Sequence, residues 1–368
     1  MKEIKAKNLA SLSDLFHPLE IHLAAAAALH GQPANIFVDR AVHPRCGLIW
    51  IQHRFYLTGE PDHSTFNRDL AQYLSQTVFP ARPDDGYVFY YADPAWEDAL
   101  TCEILPHHPP IPLAHEYYEL DTQAWAGGPI EAPEGFTFQQ VNRELTENRS
   151  LENLDDLLEE MCSERRSVEE FLAHSFGTCL VNQRHIVTWV LSEYNLGQRC
   201  EVGIATHPDY QRRGLAALTG RAFVEQARQA GIRRIGWHCT KHNTPSGRAA
   251  LAIGFHKVQD LPTCLVLADP IINLAVHGDV LFHQGDYSGA AGWFEQAFAL
   301  GAAPGWAYLT SACAHAMLGE QERAFQDLYQ AVDHGFADPQ HLAAVDCLKS
   351  LQDTPQWTEL IEKLREQA

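Results

Sequence analysis

A strand, a glycine-bearing turn and a helix follow one another in CEVGIATHPDYQRRGLAALTGRAFVEQARQAG, Cys200 to Gly231, and this stretch restricts the fold more than any other. CEVGIAT is apolar and β-branched, the pattern of a buried strand. Pro208 has no N–H to give to a ladder and ends it. Leu215, Leu218, Ala222, Phe223 and Ala227 recur at helical spacing until Gly231 closes the helix. A buried strand feeding an amphipathic helix calls for a sheet with helices packed on its faces. Between the two, the amides of Arg212, Arg213, Gly214, Leu215 and Ala216 converge at a helix amino terminus, where unsatisfied N–H groups and the dipole attract an anion. Gly214 lets the backbone approach a phosphate closely, and Arg212 and Arg213 add charge-assisted bonds.

The charge distribution supports that reading. The 368-residue chain carries a formal charge of −20, which argues against nucleic acid or an anionic membrane surface as a main partner. Yet residues 211 to 258 hold nine Lys or Arg against one acid, Glu225, a local balance of +8. From Asp269 onward fourteen acids face four bases, a balance of −10. A basic island in an acidic chain suits a bound polyanion of limited size. RNA binding through the island is disfavoured because aromatic residues do not interleave with the basic ones.

The length accommodates two or three cores. Residues 1–130 alternate helix-like and strand-like runs (PLEIHLAAAAALH, ANIFVD, CGLIWIQ, RFYLTGE, TFNRDLAQYLSQTVF, YVFYYA) and read as an α/β region. The proline- and glycine-rich PHHPPIPLAHEYYELDTQAWAGGPIEAPEG reads as a linker or long crossing loop. Residues 133–268 continue with the strand FTFQQV, helices LENLDDLLEEMC and VEEFLAHSF, and strands GTCLVN, HIVTWVLSEY and CEVGIAT. After the loop and helix come RIGWHC, the helix PSGRAALAIG, and separate strands around FHKV and TCLVLA. Residues 269–368 read as helical and repeat: Gly285, Ala290, Phe294 and Ala297 match Gly319, Ala324, Leu328 and Ala331 at an offset of 34 residues, the period of tetratricopeptide repeats. TPQWTELIEKLREQ reads as the capping helix.

Nine scattered cysteines without C-x-x-C or zinc spacing fit a reducing, cytoplasmic location. The amino terminus starts basic, but Asp14, His17 and Glu20 interrupt the apolar core that a signal peptide needs. The longest apolar run, Leu23 to Leu29, is too short for a membrane span. His238 and His242 have a four-residue spacing, but they fall in a strand-to-loop passage that does not place them on one face, so no metal site is expected.

QRRGLA, Gln211 to Ala216, resembles the Q/R-x-x-G-x-G/A loop of GNAT-superfamily N-acetyltransferases, and NTPSGRAALAIGFHKV resembles that family's N-x-x-[AS] helix ending in L-G-F, with Asn243, Ser246, Gly254 and Phe255 in place. The resemblance spans about residues 135–265. It implies an α/β (α+β) GNAT-type mixed sheet flanked by helices, here with an additional, degenerate GNAT-like amino-terminal α/β region and an all-α helical-repeat tail. It further implies acetyl-CoA as acyl donor, its pyrophosphate on Gln211 to Ala216, its pantetheine arm along the backbone of Ile204, Ala205 and Thr206, and Asn243 beside it. Glu201 stands where many relatives carry the general base. A splayed strand after it would leave an N–H for the reaction's oxyanion.

The expected reaction is acetyl transfer to a primary amine of a small molecule or peptide. A base is useful because an alkyl amine with a pKa of about 10 is mostly charged at neutral pH. One departure concerns the acid: where many relatives have a tyrosine, seven residues after the asparagine, this chain has Ala250. Ser246, His242 and His238 are the substitutes, with Ser246 preferred, and an unassisted thiolate is the remaining option. No Q-x-x-G-x-G loop occurs in the first 130 residues, which therefore contribute no second site of that kind. Trp50 and Tyr56 are candidates to wall the acceptor cleft, although alternating aromatics in a strand are more often core. The repeats suggest a protein partner or self-association. The rival reading is a non-catalytic tetratricopeptide scaffold whose GNAT-like domain binds CoA, which the missing tyrosine favours.

Overall fold

The computed structural model describes residues 1–5, 9 and 11–367. Residues 6–8, 10 and 368, part of the basic amino-terminal stretch and the last residue of the tail, lie outside it. Two compact units interleave along the chain. The first comprises Met1–Asn67, Val88–Trp96 and Pro112–Cys264, and the second Arg68–Tyr87, Glu97–Ile111 and Leu265–Ala368.

Apart from the ends of three strands, the first unit contains a twelve-stranded sheet: β1 (Lys2–Glu3), β2 (Asn35–Val38), β3 (Cys46–Ile51), β4 (Arg54–Gly59), β5 (Gly86–Tyr91), β6 (Ile111–Asp121), β7 (Phe136–Gln140), β8 (Gly177–Asn182), β9 (His185–Leu196), β10 (Arg199–Thr206), β11 (Arg234–Thr240) and β12 (His256–Leu267). Its order is β1-β2-β3-β4-β5-β12-β6-β11-β10-β9-β8-β7. The two halves of this order mirror each other. β2, β3 and β4 run antiparallel and β5 joins β4 in parallel; β8, β9 and β10 run antiparallel and β11 joins β10 in parallel. The amino-terminal residues thus extend the sheet of residues 133–268.

Two expectations are corrected here. The proline-rich segment is no linker over Ile111–Asp121, which forms the interior strand β6 and pairs antiparallel with β11 from His115↔Thr240 to Asp121↔Arg234. Flanking prolines masked it, but inside the segment Tyr117, Tyr118 and Leu120 are buried, and apolar burial outweighs the local turn signal. FHKV and TCLVLA are not separate strands either. They belong to the continuous β12, which runs through Pro262.

Helices cover both faces. α1 (Leu23–Leu29) is the alanine-rich run, and α2 (Leu154–Ser163) and α3 (Val168–His174) pack Leu157, Met161 and Phe171 over Cys179, Val181, Trp189 and Leu191. α4 (Leu215–Gln229) and α5 (Thr244–Ile253) lie on the opposite face, with Phe223, Val224 and Ile253 over Val190, Val202, Ile235 and Trp237. The buried stripe of α4 is Leu215, Thr219, Gly220, Phe223, Val224 and Ala227, rotated from the expected one, so Leu218 and Ala222 are half-buried. The rotation brings Gly220 against α5, where a Cβ would collide with the Ile253 side chain.

In the second unit α6 (Pro270–His283) pairs with α7 (Tyr287–Leu300), and α8 (Gly305–Met317) with α9 (Gln321–Asp333), before α10 (Pro355–Gln367). The residues repeated at 34-residue spacing occupy equivalent places. Gly285 and Gly319 follow helix ends at φ +85° and +77°, and Ala290, Phe294, Ala297, Ala324, Leu328 and Ala331 are all buried. A Cβ at Gly278 would meet the Phe294 ring at 2.8 Å, so small residues set the approach of the two helices. No helix among the described residues is long and apolar enough to cross a membrane.

Candidate active site

β10 and β11 run in parallel register from Arg199↔Arg234 to Val202↔Trp237 and then part. β10 continues to Thr206 along β9 alone, and β11 to Thr240 along β6 alone. His207 N–H donates to Val187 O at 2.9 Å. Antiparallel alternation from that bond gives the backbone groups of Gly203 and Ala205 to β9 and turns those of Ile204 and Thr206 toward the side β11 has left.

A cavity of about 210 Å³ fills the gap. Trp237, which packs with α4 and α5, and His238, which stacks on His22 on the other face, both line it. The gap therefore opens the sheet from one face to the other. On the α5 side stand Cys239, Asn243 and Ser246. The Asn243 carboxamide oxygen caps α5 by accepting Ser246 N–H at 3.2 Å, which leaves its NH₂ group uncommitted by that bond. Ser246 Oγ accepts the Trp237 indole N–H at 3.0 Å. Ala250 is fully buried among the core residues. His242 is exposed and does not line the gap.

The opposite side is ionic. Glu201, 3% exposed, accepts the Leu23 N–H at the start of α1 at 2.6 Å, and its Oε1 lies 3.3 Å from His238 Nε2. Glu193 is the residue that sequence reasoning missed. The register passes from Glu201↔Tyr194 to Val202↔Ser192, making Glu193 the extra residue of a β-bulge, a device that re-aims side chains near functional sites. Its carboxyl lies over Gly203, whose missing Cβ leaves it room. Burial first, and then the neighbouring charges of Glu164, Glu201 and Glu160, push it up to about 8 against the pull of Arg54, with Arg54 Nη2 3.8 Å away. The Arg54 charge is shared with Glu164, its closer partner. The available signal was the break that this acid makes after the apolar run from Ile186 to Leu191.

Neutral rings surround this carboxylate pair. Burial first, and then the nearness of the His238 imidazole, hold His22 well below the usual imidazole range and His115 at about 4. Burial pushes Tyr90 up to about 12. From the amino-terminal region the gap thus receives Arg54, Tyr90 and His115. The expected wall residues do not line it: Tyr56 is buried between His22 and Tyr90, and Trp50 donates to Gln52 O at 2.7 Å and stacks on Phe55.

At the carboxyl end of β10 the chain makes a turn over Pro208–Tyr210 and enters α4 through Arg212 and Gly214, at φ +60° and +74°. No side chain caps α4, and its first intrahelical bond is Leu218 N–H to Gly214 O, so the N–H groups of Leu215, Ala216 and Ala217 lead the helix. Nothing stands within 4 Å of where a Gly214 Cβ would be. Gln211 and Arg213 brace the loop from within: Gln211 Nε2 donates to Thr206 O at 3.1 Å, and Arg213 donates to Asp209 O at 2.7 Å while lying over the Tyr210 ring. Arg212 is exposed.

Known proteins share the fold and the sequence pattern. A solved GCN5-related N-acetyltransferase-like protein from Streptococcus suis 89/1591 has a similar fold, with TM-score 0.53 at 18% identity over 71% of this chain and 98% of that one. The Bacillus subtilis (strain 168) protein YdfB, an uncharacterized N-acetyltransferase, is 20% identical over 268 residues, 71% of this chain and 96% of its own. The sequence profile of the GNAT acetyltransferases matches residues 15–264, from ahead of α1 to within β12. With its parted strands and uncapped loop helix, this chain belongs to the GNAT acetyltransferase family.

Proposed function

We propose that the protein transfers an acetyl group from acetyl-CoA to a primary amine of a small molecule or peptide. The observation that carries the reading is the gap between β10 and β11, which holds a carboxylate pair within the sheet, on a strand, β10, that leads directly into the turn before the uncapped α4. The loop fits a diphosphate: a fifteen-residue helix begins there without a side-chain cap, at a left-handed glycine with open space around it. Leu215, Ala216 and their neighbours would offer backbone N–H groups, with Arg212 and Arg213 adding charge and Gln211 bracing the turn. The Ile204 carbonyl and the Thr206 N–H, turned away from β9, would hold the pantetheine arm. Ala205 keeps its own groups in the ladder and serves as a spacer. Asn243 would add its NH₂ group from the α5 side.

Acetyl-CoA, when bound, supplies an acyl group activated as a thioester. The incoming ammonium must lose a proton before its nitrogen can attack. Glu193 takes that proton: a base whose pKa lies near the working pH combines a useful ionised fraction with adequate proton affinity. Glu201, the base suggested by the resemblance, is tied to the Leu23 N–H. Its negative charge helps raise Glu193, as in other carboxylate pairs whose affinities are driven apart. The Ile204 N–H faces the gap as a donor for the oxyanion. Ser246, whose oxygen is held by Trp237, would relay to the departing thiolate the second proton that the acylated nitrogen sheds, taking one proton as it gives its own; at a thiol pKa of about 8.5 that sulfur needs little help.

Titration calorimetry of the full chain with acetyl-CoA tests the reading, beside the Arg212→Glu/Arg213→Glu variant. Charge-assisted bonds contribute about 1.5–3 kcal/mol each, so the variant should bind at least about a hundredfold more weakly. An inert, folded wild type would sink the proposal.

A further inference from the structure

Two cysteines meet inside the helical tail. Cys313 lies on α8 and is 4% exposed, and Cys347 is half-buried in the 3₁₀ turns of Asp346–Leu351. Both belong to one apolar cluster, in which Ala312, Cys313 and Ala316 of α8 pack with Leu348 and Leu351 from those turns. This packing brings the two side chains into hydrogen-bond contact, with the Cys313 S–H donating to the Cys347 sulfur. The chain between them runs through α9 and the short helix Pro339–Ala344 before it returns to α8. Tertiary packing makes this pair, where a C-x-x-C motif would make one locally. Acyl transfer uses neither thiol.

The two thiols are chemically unequal. The hydrogen bond from Cys313 holds Cys347 below the ordinary thiol value, and the same bond, followed by burial, pushes Cys313 up. The thiolate is the form that attacks an oxidant, and Cys347 is also the thiol that solvent reaches. Cys313, buried behind it, stands where a resolving thiol is needed. We propose that Cys313 and Cys347 are an oxidation site that closes to a reversible disulfide when the protein meets hydrogen peroxide. The Cys347 thiolate attacks one peroxide oxygen: an S–O bond forms, the O–O bond breaks, and the departing hydroxide takes up a proton to become water. The Cys313 sulfur then attacks the oxidised sulfur of Cys347 and passes its thiol proton to the sulfenic oxygen: the S–S bond forms, the S–O bond breaks and a second water leaves. The two thiols together lose two electrons, and one peroxide is reduced to two waters. Exchange with a reducing thiol such as glutathione reverses the change. The bond ties α8 to the turns of Asp346–Leu351 around α9 and restricts the unfolded tail, so the oxidised tail resists unfolding.

The test treats the folded full chain with hydrogen peroxide, blocks remaining thiols with iodoacetamide, digests without reduction and maps the peptides by mass spectrometry. The peptides of Cys313 and Cys347 should be recovered joined, lighter by two hydrogens than the reduced pair, and dithiothreitol should return both thiols. In Cys313→Ser, Cys347 should instead accumulate as a sulfenic acid that dimedone labels. In Cys347→Ser, Cys313 should remain a free thiol. The wild type supplies a readout that needs no substitution: the thermal transition of the tail should rise by about 5 °C or more on oxidation and fall back on reduction. Three results would overturn the inference. One is a link that forms only after urea has unfolded the chain. Another is a Cys347 that stays reduced, or joins a different cysteine, while the exposed Cys102 is oxidised. The third is a linked chain whose thermal transition does not move.

Discussion

Glu193→Gln should make the protein more stable at alkaline pH and nearly inactive. In the folded chain this carboxyl is pushed up to about 8, against an ordinary value of 4.5. The native state therefore holds a proton that the unfolded chain releases, and the resulting stabilisation is complete below about pH 4.5 and lost as pH rises through about 8. At about 1.4 kcal/mol per unit, wild-type unfolding free energy should drop by about 2.5 kcal/mol relative to Glu193→Gln between about pH 6 and about pH 8.5. Urea unfolding of both proteins at the two pH values measures this. Acetyl transfer, followed by loss of thioester absorbance, should rise with pH up to about 8 in the wild type, and removal of the base should cost about 10² to 10⁴ in rate. Parallel stability curves would refute the burial argument. A stability gain with kcat/KM within about threefold of wild type would place the base elsewhere.

Three further outcomes follow from the same geometry. Glu201→Gln removes a charge that helps raise Glu193, so the acidic limb of the rate profile should move to lower pH, and the weaker bond to Leu23 N–H should cost about 1 kcal/mol in unfolding; an unmoved limb would mean that the two carboxylates do not communicate. Gly203→Ala places a methyl against the Glu193 carboxyl and should reduce kcat about tenfold or more by displacing the base, so unchanged turnover would contradict its seat over Gly203. Gly278→Ala brings a methyl within 2.8 Å of the Phe294 ring and should destabilise the helical tail by about 1–3 kcal/mol; an unshifted thermal transition would show that α6 and α7 readjust freely.

The loop and its helix were legible because their determinants are local. A glycine that tolerates φ +74°, a proline that closes the strand and a helix without a side-chain cap all lie within one short run. The parting of β10 and β11 followed from the family resemblance, and its backbone consequence for Ile204 could be worked out once the register was known. The tail's 34-residue offset was also legible, since helical hairpins reuse the same small residues at each close approach. β6 was not: two tyrosines and a leucine among prolines carry little periodic signal, and the partner that organises them, β11, is more than a hundred residues further along.

Trp50 and Tyr56 were candidates for the cleft because they are aromatic residues in adjacent strands, yet packing turned both away from it. Arg54 and Tyr90, which do line the gap, have no distinguishing local pattern. Glu193 depended on a bulge, and a bulge is a property of two paired strands rather than of either sequence alone.

By itself the sequence determined what backbone sterics and short-range periodicity control: the strand, the glycine-bearing loop and the helix that follows it, the alternation of the flanking elements, and the repeating tail. Only the tertiary structure decided which carboxylates share the gap. Glu201 meets an N–H 178 residues away, and Glu193 owes its proton affinity to burial and to the charges of Glu164, Glu201 and Glu160, against the pull of Arg54. Desolvation and Coulomb energies depend on distances through space, so they come into being when the chain closes.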